Sequence, residues 1–133
     1  MDDVSNGGSP LKARVVVADD SSPYLELLRA VLAGSPELEL VGTASDGCEA
    51  VRVAVESEAD IALLDIDMPG LDGFAAAQEI RRLRPGTELF LHTGGMVDDY
   101  RRRGRALELS VFDKLQLSRT LELISSHRER RAA

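Results

Sequence analysis

The chain has 133 residues, of which 44% are hydrophobic and 29% charged, and its formal net charge is −7. This length fits one domain, and the composition is that of an ordinary globular protein. No apolar run approaches the roughly 20 residues of a membrane span, and the acidic N-terminus lacks the features of a secretory signal, so we expect a cytoplasmic protein that does not bind membranes. The negative charge and the 4% of aromatic residues argue against direct binding of nucleic acid.

The two ends of the chain differ from its middle. Residues 1–13 are rich in Asp, Ser, Asn and Gly and lack hydrophobic periodicity, which predicts a flexible N-terminal arm. Residues 127–133 are mostly charged and predict a C-terminal tail that frays. We therefore expect the folded domain to span residues 14–126. Cys48 is the only cysteine, which excludes an internal disulfide, and we expect it to act as a small buried hydrophobic residue.

Between these ends, strand patterns alternate with helix patterns. Short apolar or β-branched runs predict strands at residues 15–19, 38–44, 61–66, 89–93 and 110–114. Apolar residues at helical spacing, with Gly and Pro at the ends, predict helices at residues 22–33, 46–56, 74–83, 98–109 and 117–124. Ser22 is the expected N-cap of the first helix, followed by Pro23 in its first turn.

Five consecutive strand–helix units predict an α/β fold, a doubly wound five-stranded parallel sheet with helices on both faces. In such folds, ligands bind beyond the carboxyl ends of the strands. The residues at these ends are therefore the candidates for chemistry.

Acidic, hydroxyl and ammonium side chains follow four of the five predicted strands. These residues are Asp19 and Asp20, Asp65 and Asp67, Thr93, and Lys114. A single Asp at such a position is usually a turn former, but several carboxylates at one edge repel each other unless a cation is bound. An all-oxygen ligand set suits Mg²⁺, and a Thr and a Lys beside it can hold the oxygens of a phosphoryl group. This combination is typical of sites for phosphoryl transfer.

These residues, together with the run LLDIDMPGLDG at residues 63–73, resemble the receiver domain of bacterial two-component response regulators. The resemblance covers roughly residues 14–126 and is to stand-alone, chemotaxis-type receivers. It implies a flavodoxin-like fold with strand order 2-1-3-4-5. It also implies a signalling protein rather than an enzyme, one that catalyses only its own phosphorylation and dephosphorylation.

The resemblance assigns a role to each site residue. Asp65 corresponds to the phosphoacceptor, which takes its phosphoryl group from a sensor histidine kinase or a histidine phosphotransfer protein. Thr93 and Lys114 correspond to the residues that contact the phosphoryl oxygens. The Mg²⁺ ligands correspond to Asp19, Asp20, Asp65 and the backbone carbonyl of Asp67. An output protein of unknown identity would bind the face formed by the fourth helix, the fifth strand and the fifth helix.

Two positions depart from the family pattern. Pro usually follows the Lys, often in a cis bond, whereas this chain has Leu115, where a cis bond would cost about 3 kcal/mol. Val111 stands where the family often has an aromatic switch residue, and by strand alternation the neighbouring Phe112 should point to the other face of the sheet. We therefore expect phosphorylation to be read out by the loop at Gly94-Gly95 and the start of the helix that follows.

Two alternative functions stay open at this stage. A degenerate pseudo-receiver would bind partners without phosphate, and Val111 is the argument for it. Asp65 and Asp67 also resemble the Asp-x-Asp motif of haloacid-dehalogenase-type phosphatases, although in that family the motif lies on the first strand.

A structural role is also expected for two further features of the sequence. His92 should face away from Thr93, and we expect it to be a structural residue. The basic stretch at residues 101–105 predicts a solvated helix face, with a protein partner as the next interpretation.

Overall fold

The computed structural model describes residues 11–132, so most of the expected N-terminal arm lies outside the described residues. The chain forms a five-stranded parallel sheet of order β2-β1-β3-β4-β5, which confirms the predicted fold and strand order. The strands are β1 (Ala13–Ala18), β2 (Leu38–Ala44), β3 (Ile61–Asp65), β4 (Glu88–Thr93) and β5 (Ser110–Asp113).

Among the described residues, six helices connect and cover these strands. They are α1 (Ser22–Ala33), α2 (Gly47–Glu56), α3 (Gly73–Leu83), α4 (Val97–Ala106), α5 (Leu117–Ser125) and α6 (His127–Ala132). A short 3₁₀ helix at Lys114–Gln116 joins β5 to α5. Within residues 11–132, no helix is both long enough and apolar enough to cross a membrane.

The core consists of two layers, one on each face of the sheet. Alternate residues of a strand point to opposite faces, so Val16 packs in one layer and Val17 in the other. The first layer includes Phe74 and Ile80 of α3, and the second includes Leu28 of α1. Because both faces of the sheet are covered, its central strands are continuous apolar runs rather than alternating ones.

Several local features differ from the expectations. The N-cap of α1 is Ser21 rather than Ser22, and its hydroxyl accepts a hydrogen bond from the backbone N–H of Tyr24 (3.3 Å). Helix α4 ends at Ala106 rather than near residue 109, because Glu108 adopts a left-handed conformation (φ 56°) that turns the chain into β5. Cys48 is exposed on α2, so the expectation of a buried thiol was wrong.

The charged residues after position 126 form α6 instead of fraying. His127 Nδ1 lies 2.6 Å from Glu88 Oε1, and the Arg130 guanidinium donates two hydrogen bonds to the same carboxylate, at 2.8 and 2.9 Å. The bonds from Arg130 and His127 hold the pKa of Glu88 below its ordinary value despite partial burial. Glu88 begins β4, so these bonds attach α6 to the amino-terminal end of the sheet.

We predict that Glu88→Gln destabilises the protein by about 1–2 kcal/mol, because it removes the charge from three hydrogen bonds in a mostly buried setting. Urea unfolding followed by circular dichroism measures this free energy. Glu79→Gln is the control, since the Glu79–Arg82 pair is exposed and its loss should change little. Equal effects of the two substitutions would contradict the prediction.

Candidate functional site

The register of the sheet brings the predicted site residues to one edge. Ala18 pairs with Leu64 of β3, and Asp65 pairs with His92 of β4. Thr93 in turn pairs with Asp113 of β5. The residues that end or follow these strands therefore meet at the carboxyl edge, as parallel pairing requires.

A buried pair of carboxylates and one ammonium group form the centre of the site. Asp19 is 0% exposed and Asp65 is 3% exposed. Lys114 Nζ lies 2.6 Å from Asp19 Oδ2 and 3.5 Å from Asp65 Oδ2. One ammonium thus faces two carboxylates, which leaves one negative charge without a partner when both acids are ionised.

The pKa values of the two carboxyl groups are shifted in opposite directions. Burial and the negative charge of Asp19 raise the pKa of Asp65 to about 6, although Lys114 opposes the shift. Burial also acts to raise the pKa of Asp19, but His92, Lys114 and the backbone N–H of Ser21 outweigh it and hold that pKa below its ordinary value. Asp65 is therefore the acid that carries the unbalanced charge.

This arrangement fits a hard cation. Asp19 Oδ2 is buried and has no hydrogen-bond partner among the described residues, although the ammonium of Lys114 lies beside it. Asp20 is exposed, and its negative charge makes a small contribution to the raised pKa of Asp65. Asp67 is exposed as well, and its backbone N–H donates to Asp65 Oδ1 (3.3 Å). Oxygen donors from these acids are the type that Mg²⁺ prefers.

Thr93 is buried at this edge, and its hydroxyl is engaged with its own loop. It donates a hydrogen bond to the carbonyl of Gly95 (2.7 Å) and accepts one from the N–H of Gly95 (3.2 Å). It also lies 3.4 Å from Asp67 Oδ2. The hydroxyl must therefore leave Gly95 O before it can donate to a group bound at Asp65.

Two tyrosine side chains next to the site were not predicted from the sequence as site residues. The Tyr100 hydroxyl, on α4, donates to Asp67 Oδ1 (2.8 Å). The Tyr24 ring lies 4.7 Å from Lys114 Nζ, a cation–π contact, and packs edge-on against His92, with ring centroids 5.3 Å apart. The only sequence signal was rarity, since the chain has just two tyrosines.

His92 lies under the acidic pair. It is 1% exposed, and its Nε2 is 3.3 Å from Asp19 Oδ2 but outside hydrogen-bond geometry. Neither ring nitrogen has a hydrogen-bond partner within residues 11–132, and burial lowers the pKa of the ring, which favours neutral imidazole. His92 thus supports the buried side of the site.

The structure accommodates the two departures from the family pattern, Leu115 and Val111, through contacts of neighbouring residues. All peptide bonds of the described residues are trans, including the one before Leu115, whose N–H donates to Asp113 Oδ1 (2.9 Å) in the turn after β5. This cap positions Lys114 without a proline. Val111 is buried facing α4, whereas Phe112 packs on the opposite face against Phe90 with a centroid distance of 5.9 Å, as predicted.

Comparison with known proteins agrees with this geometry. Residues 15–119 match the family described as "Response regulator receiver domain". The chain is 39% identical over 105 residues to a protein-glutamate methylesterase/protein-glutamine glutaminase from Caldanaerobacter subterraneus subsp. tengcongensis, a match that covers 77% of this chain and 28% of that protein. It is 38% identical over 86 residues to the transcriptional regulatory protein LiaR from Bacillus subtilis, covering 65% of this chain and 41% of LiaR.

The fold has close counterparts among solved structures. The response regulator domain of Thermotoga maritima CheB superposes with a TM-score of 0.70 and 26% identity, covering 90% of this chain and 96% of that domain. Because the chain spans less than half the length of the two curated relatives, the esterase activity and the transcriptional role belong to those whole proteins. The family match, the strand order and the cluster at the carboxyl edge lead to one conclusion, that this chain belongs to the response regulator receiver domain family.

Proposed function

We propose that Asp65 accepts a phosphoryl group from a phosphohistidine of a sensor histidine kinase or a histidine phosphotransfer protein, and that the phosphorylated chain signals by binding another protein. The observation that carries this proposal is the buried Asp65 carboxylate with its unbalanced charge, 3.5 Å from the ammonium of Lys114. A carboxylate held in this way is a ready nucleophile beside a cation that can stabilise the charge of the incoming group.

The transfer involves one bond formed and one broken. An oxygen of ionised Asp65 attacks phosphorus, the new O–P bond forms, and the P–N bond of the donor breaks, with its electron pair returning to the imidazole nitrogen. Lys114 then pairs with one phosphoryl oxygen, and the hydroxyl of Thr93 turns from Gly95 O to donate to another. Mg²⁺, held by Asp19, Asp20, Asp65 and the backbone carbonyl of Asp67, would neutralise charge on the phosphoryl oxygens.

The two alternative functions, a haloacid-dehalogenase-type phosphatase and a pseudo-receiver, receive no support. Asp67 is exposed and hydrogen-bonded to Tyr100, and the Asp65–Asp67 pair ends β3 rather than the first strand, unlike the phosphatase motif. A pseudo-receiver would not need the acids together with Thr93 and Lys114 at the carboxyl edge of the sheet. We therefore infer a signalling receiver that acts chemically only on its own aspartate.

The readout of phosphorylation is proposed to run through α4. When Thr93 leaves Gly95 O, the loop between β4 and α4 loses the bond that fixes its conformation. Helix α4 is linked to the site by Tyr100, whose hydroxyl is bonded to Asp67. Arg103 of the same helix lies 3.8 Å from Asp72 and 4.3 Å from the centre of the Phe74 ring. Tyr100 thus supplies the aromatic link to the site that Val111 cannot.

The proposed function predicts that wild-type protein incubated with acetyl phosphate and Mg²⁺ gains one phosphoryl group by mass spectrometry, and that Asp65→Asn gains none. Asn lacks the nucleophilic oxygen but keeps the volume of Asp. Asp67→Asn is the matched control, because it retains the backbone carbonyl and should still be labelled. Undiminished labelling of Asp65→Asn would overturn the assignment of the acceptor.

The raised pKa of Asp65 predicts a pH-dependent stability in Mg²⁺-free buffer. The pKa of Asp65 is about 6 in the fold against an ordinary 3.8, so protonated Asp65 stabilises the folded protein. This stabilisation is fully present below pH 3.8 and is lost as the pH rises through 6. Asp65→Asn does not titrate, so its free energy of unfolding relative to wild type should rise with pH, by about 3 kcal/mol at neutral pH. Thermal melts at several pH values measure this difference, with exposed Asp98→Asn as control. A constant difference across the range would contradict the assignment.

Tyr100→Phe should leave phosphorylation of Asp65 intact but weaken its effect on α4, since only the bond to Asp67 is removed. The measurement is the change in backbone amide NMR shifts of α4 when beryllofluoride and Mg²⁺ are added. Tyr24→Phe is the control, because the Tyr24 hydroxyl has no hydrogen-bond partner among the described residues. Shift changes in α4 as large in Tyr100→Phe as in wild type would show that this link does not transmit the signal.

A further inference from the structure

We propose that Tyr24 is a positioning residue for phosphoryl transfer, whose aromatic ring holds the ammonium group of Lys114 where it faces Asp19 and Asp65. The centre of the Tyr24 ring lies 4.7 Å from Lys114 Nζ, within the range of a cation–π contact. The inference rests on the proposed function, because it gives Tyr24 a part in the phosphorylation of Asp65.

The chain that follows Lys114 does not by itself fix the ammonium group. The N–H of Leu115 donates to Asp113 Oδ1 (2.9 Å), which holds the backbone of the turn. The Leu115 side chain is 90% exposed, so it contributes little packing that would anchor the turn to the rest of the fold. A lysine side chain is a flexible carbon chain with a point charge at its end. Contacts of the Lys114 side chain, which is only 19% exposed, must therefore set the position of its charge.

The two carboxylates alone favour the wrong partner for transfer. Lys114 Nζ is 2.6 Å from Asp19 Oδ2 and 3.5 Å from Asp65 Oδ2, so it lies closer to the acid that is not the acceptor. During transfer the ammonium must reach an oxygen of the phosphoryl group on Asp65. The Tyr24 ring supplies a third attraction, which acts over the face of the ring rather than along one bond direction. An ammonium held there can turn from Asp19 toward the phosphoryl group without losing the ring.

The start of α1 holds the Tyr24 ring in place. Ser21 donates its N–H to Asp19 Oδ1 (2.9 Å), and its hydroxyl accepts a hydrogen bond from the N–H of Tyr24 (3.3 Å). The ring also packs edge-on against buried His92, with centroids 5.3 Å apart and the ring planes at 69°. One short segment therefore presents both the Asp19 carboxylate and the Tyr24 ring to Lys114.

The ring of Tyr24, rather than its hydroxyl, makes the contact with Lys114. Tyr24 Oη is buried and has no hydrogen-bond partner in the part of the chain that the structure describes. Burial and the negative charges of Asp19 and Asp65 raise the pKa of Tyr24 to about 12, which keeps the phenol neutral at physiological pH. A neutral ring adds no charge to a site with one unbalanced carboxylate, and its π-face still attracts a cation. Phenylalanine should therefore serve as well as tyrosine.

A purely structural role does not require an aromatic side chain at this position. Tyr24 is half-buried and packs against the border of the second core layer. Leucine could pack there without burying an unpartnered hydroxyl, which costs free energy. Only an aromatic ring also attracts the ammonium, so the order and the reactivity of Lys114 distinguish the two roles.

The first test observes the Lys114 side chain directly, because Lys12 and Lys114 are the only lysines of the chain. In protein with ¹³C-labelled lysine, NMR relaxation of each Cε methylene group measures the order of that side chain. Exposed Lys12 is the internal reference for a mobile lysine. In unphosphorylated protein, the order of Lys114 should be high in wild type and Tyr24→Phe and should fall toward that of Lys12 in Tyr24→Leu. Unchanged order in Tyr24→Leu would overturn the inference.

The second test is the rate of Asp65 phosphorylation by acetyl phosphate with Mg²⁺, followed by mass spectrometry. Tyr24→Leu should slow the reaction by about tenfold, whereas Tyr24→Phe should keep the wild-type rate. Leu25→Ala is the matched control, because Leu25 is a half-buried residue of the same helix packed against the same core layer, and it should also keep the wild-type rate. Equal slowing by Leu25→Ala and Tyr24→Leu would show a general loss of packing and contradict the positioning role.

A fluorinated ring separates the charge of the ring face from its shape and does not depend on the folding of Tyr24→Leu. Fluorine withdraws electron density from the ring face, so Tyr24→pentafluorophenylalanine should react more slowly than Tyr24→Phe at nearly the same ring shape. Thermal melts verify that each variant is folded. Equal rates for the two variants would exclude attraction of the ammonium by the ring.

The outcomes also separate this inference from the proposed function. Wild type that gains no phosphoryl group, together with Lys114 order that depends on the Tyr24 ring, would overturn the phosphoacceptor and uphold Tyr24 as the residue that positions Lys114. Phosphorylation of Asp65 at the wild-type rate in every Tyr24 variant would uphold the phosphoacceptor and overturn the role of Tyr24.

Discussion

The chemistry of this protein depends on one electrostatic constraint, two buried carboxylates that share a single ammonium group. Lys114 lies 2.6 Å from Asp19 and 3.5 Å from Asp65, so it satisfies the first acid better than the second. The result is visible in the opposite shifts of the two pKa values, with Asp19 held below its ordinary value and Asp65 raised to about 6. The fold thus keeps one carboxylate destabilised at neutral pH, and a bound cation or a phosphoryl group with its cation can relieve this cost.

The same constraint explains how phosphorylation of Asp65 could affect the position of α4. Thr93 and Asp67 lie at the same edge of the sheet as Asp65 and are bonded to Gly95 and Tyr100, so each connects this edge to α4 or to the loop before it. A new negative group at Asp65 would compete for the hydroxyl of Thr93 and release the loop before α4. Helix α4 would then move relative to the carboxyl edge, because both the loop before it and Tyr100 connect it to the site.

Most of the fold and the central site residues were predictable, because local patterns determine them. Apolar runs covered on both faces gave the strands, and parallel pairing then required Asp19, Asp65, Thr93 and Lys114 to meet. The features that could not be predicted depend on contacts between distant residues. Glu88 holds α6 through partners 39 and 42 positions away, so a charged tail that looked disordered is helical. The Tyr100–Asp67 bond spans 33 positions and has no local signature.

The central claim is that Asp65, and no other acid at this edge, receives the phosphoryl group. A crystal structure of the protein with Mg²⁺ and beryllofluoride, a mimic of the phosphoryl group, tests it most directly. We predict beryllium bonded to a carboxylate oxygen of Asp65, with Lys114 and the hydroxyl of Thr93 each contacting a fluorine and Thr93 no longer bonded to Gly95. Beryllofluoride bound to Asp19, Asp20 or Asp67, or a site that stays empty at saturating concentrations, would contradict the account.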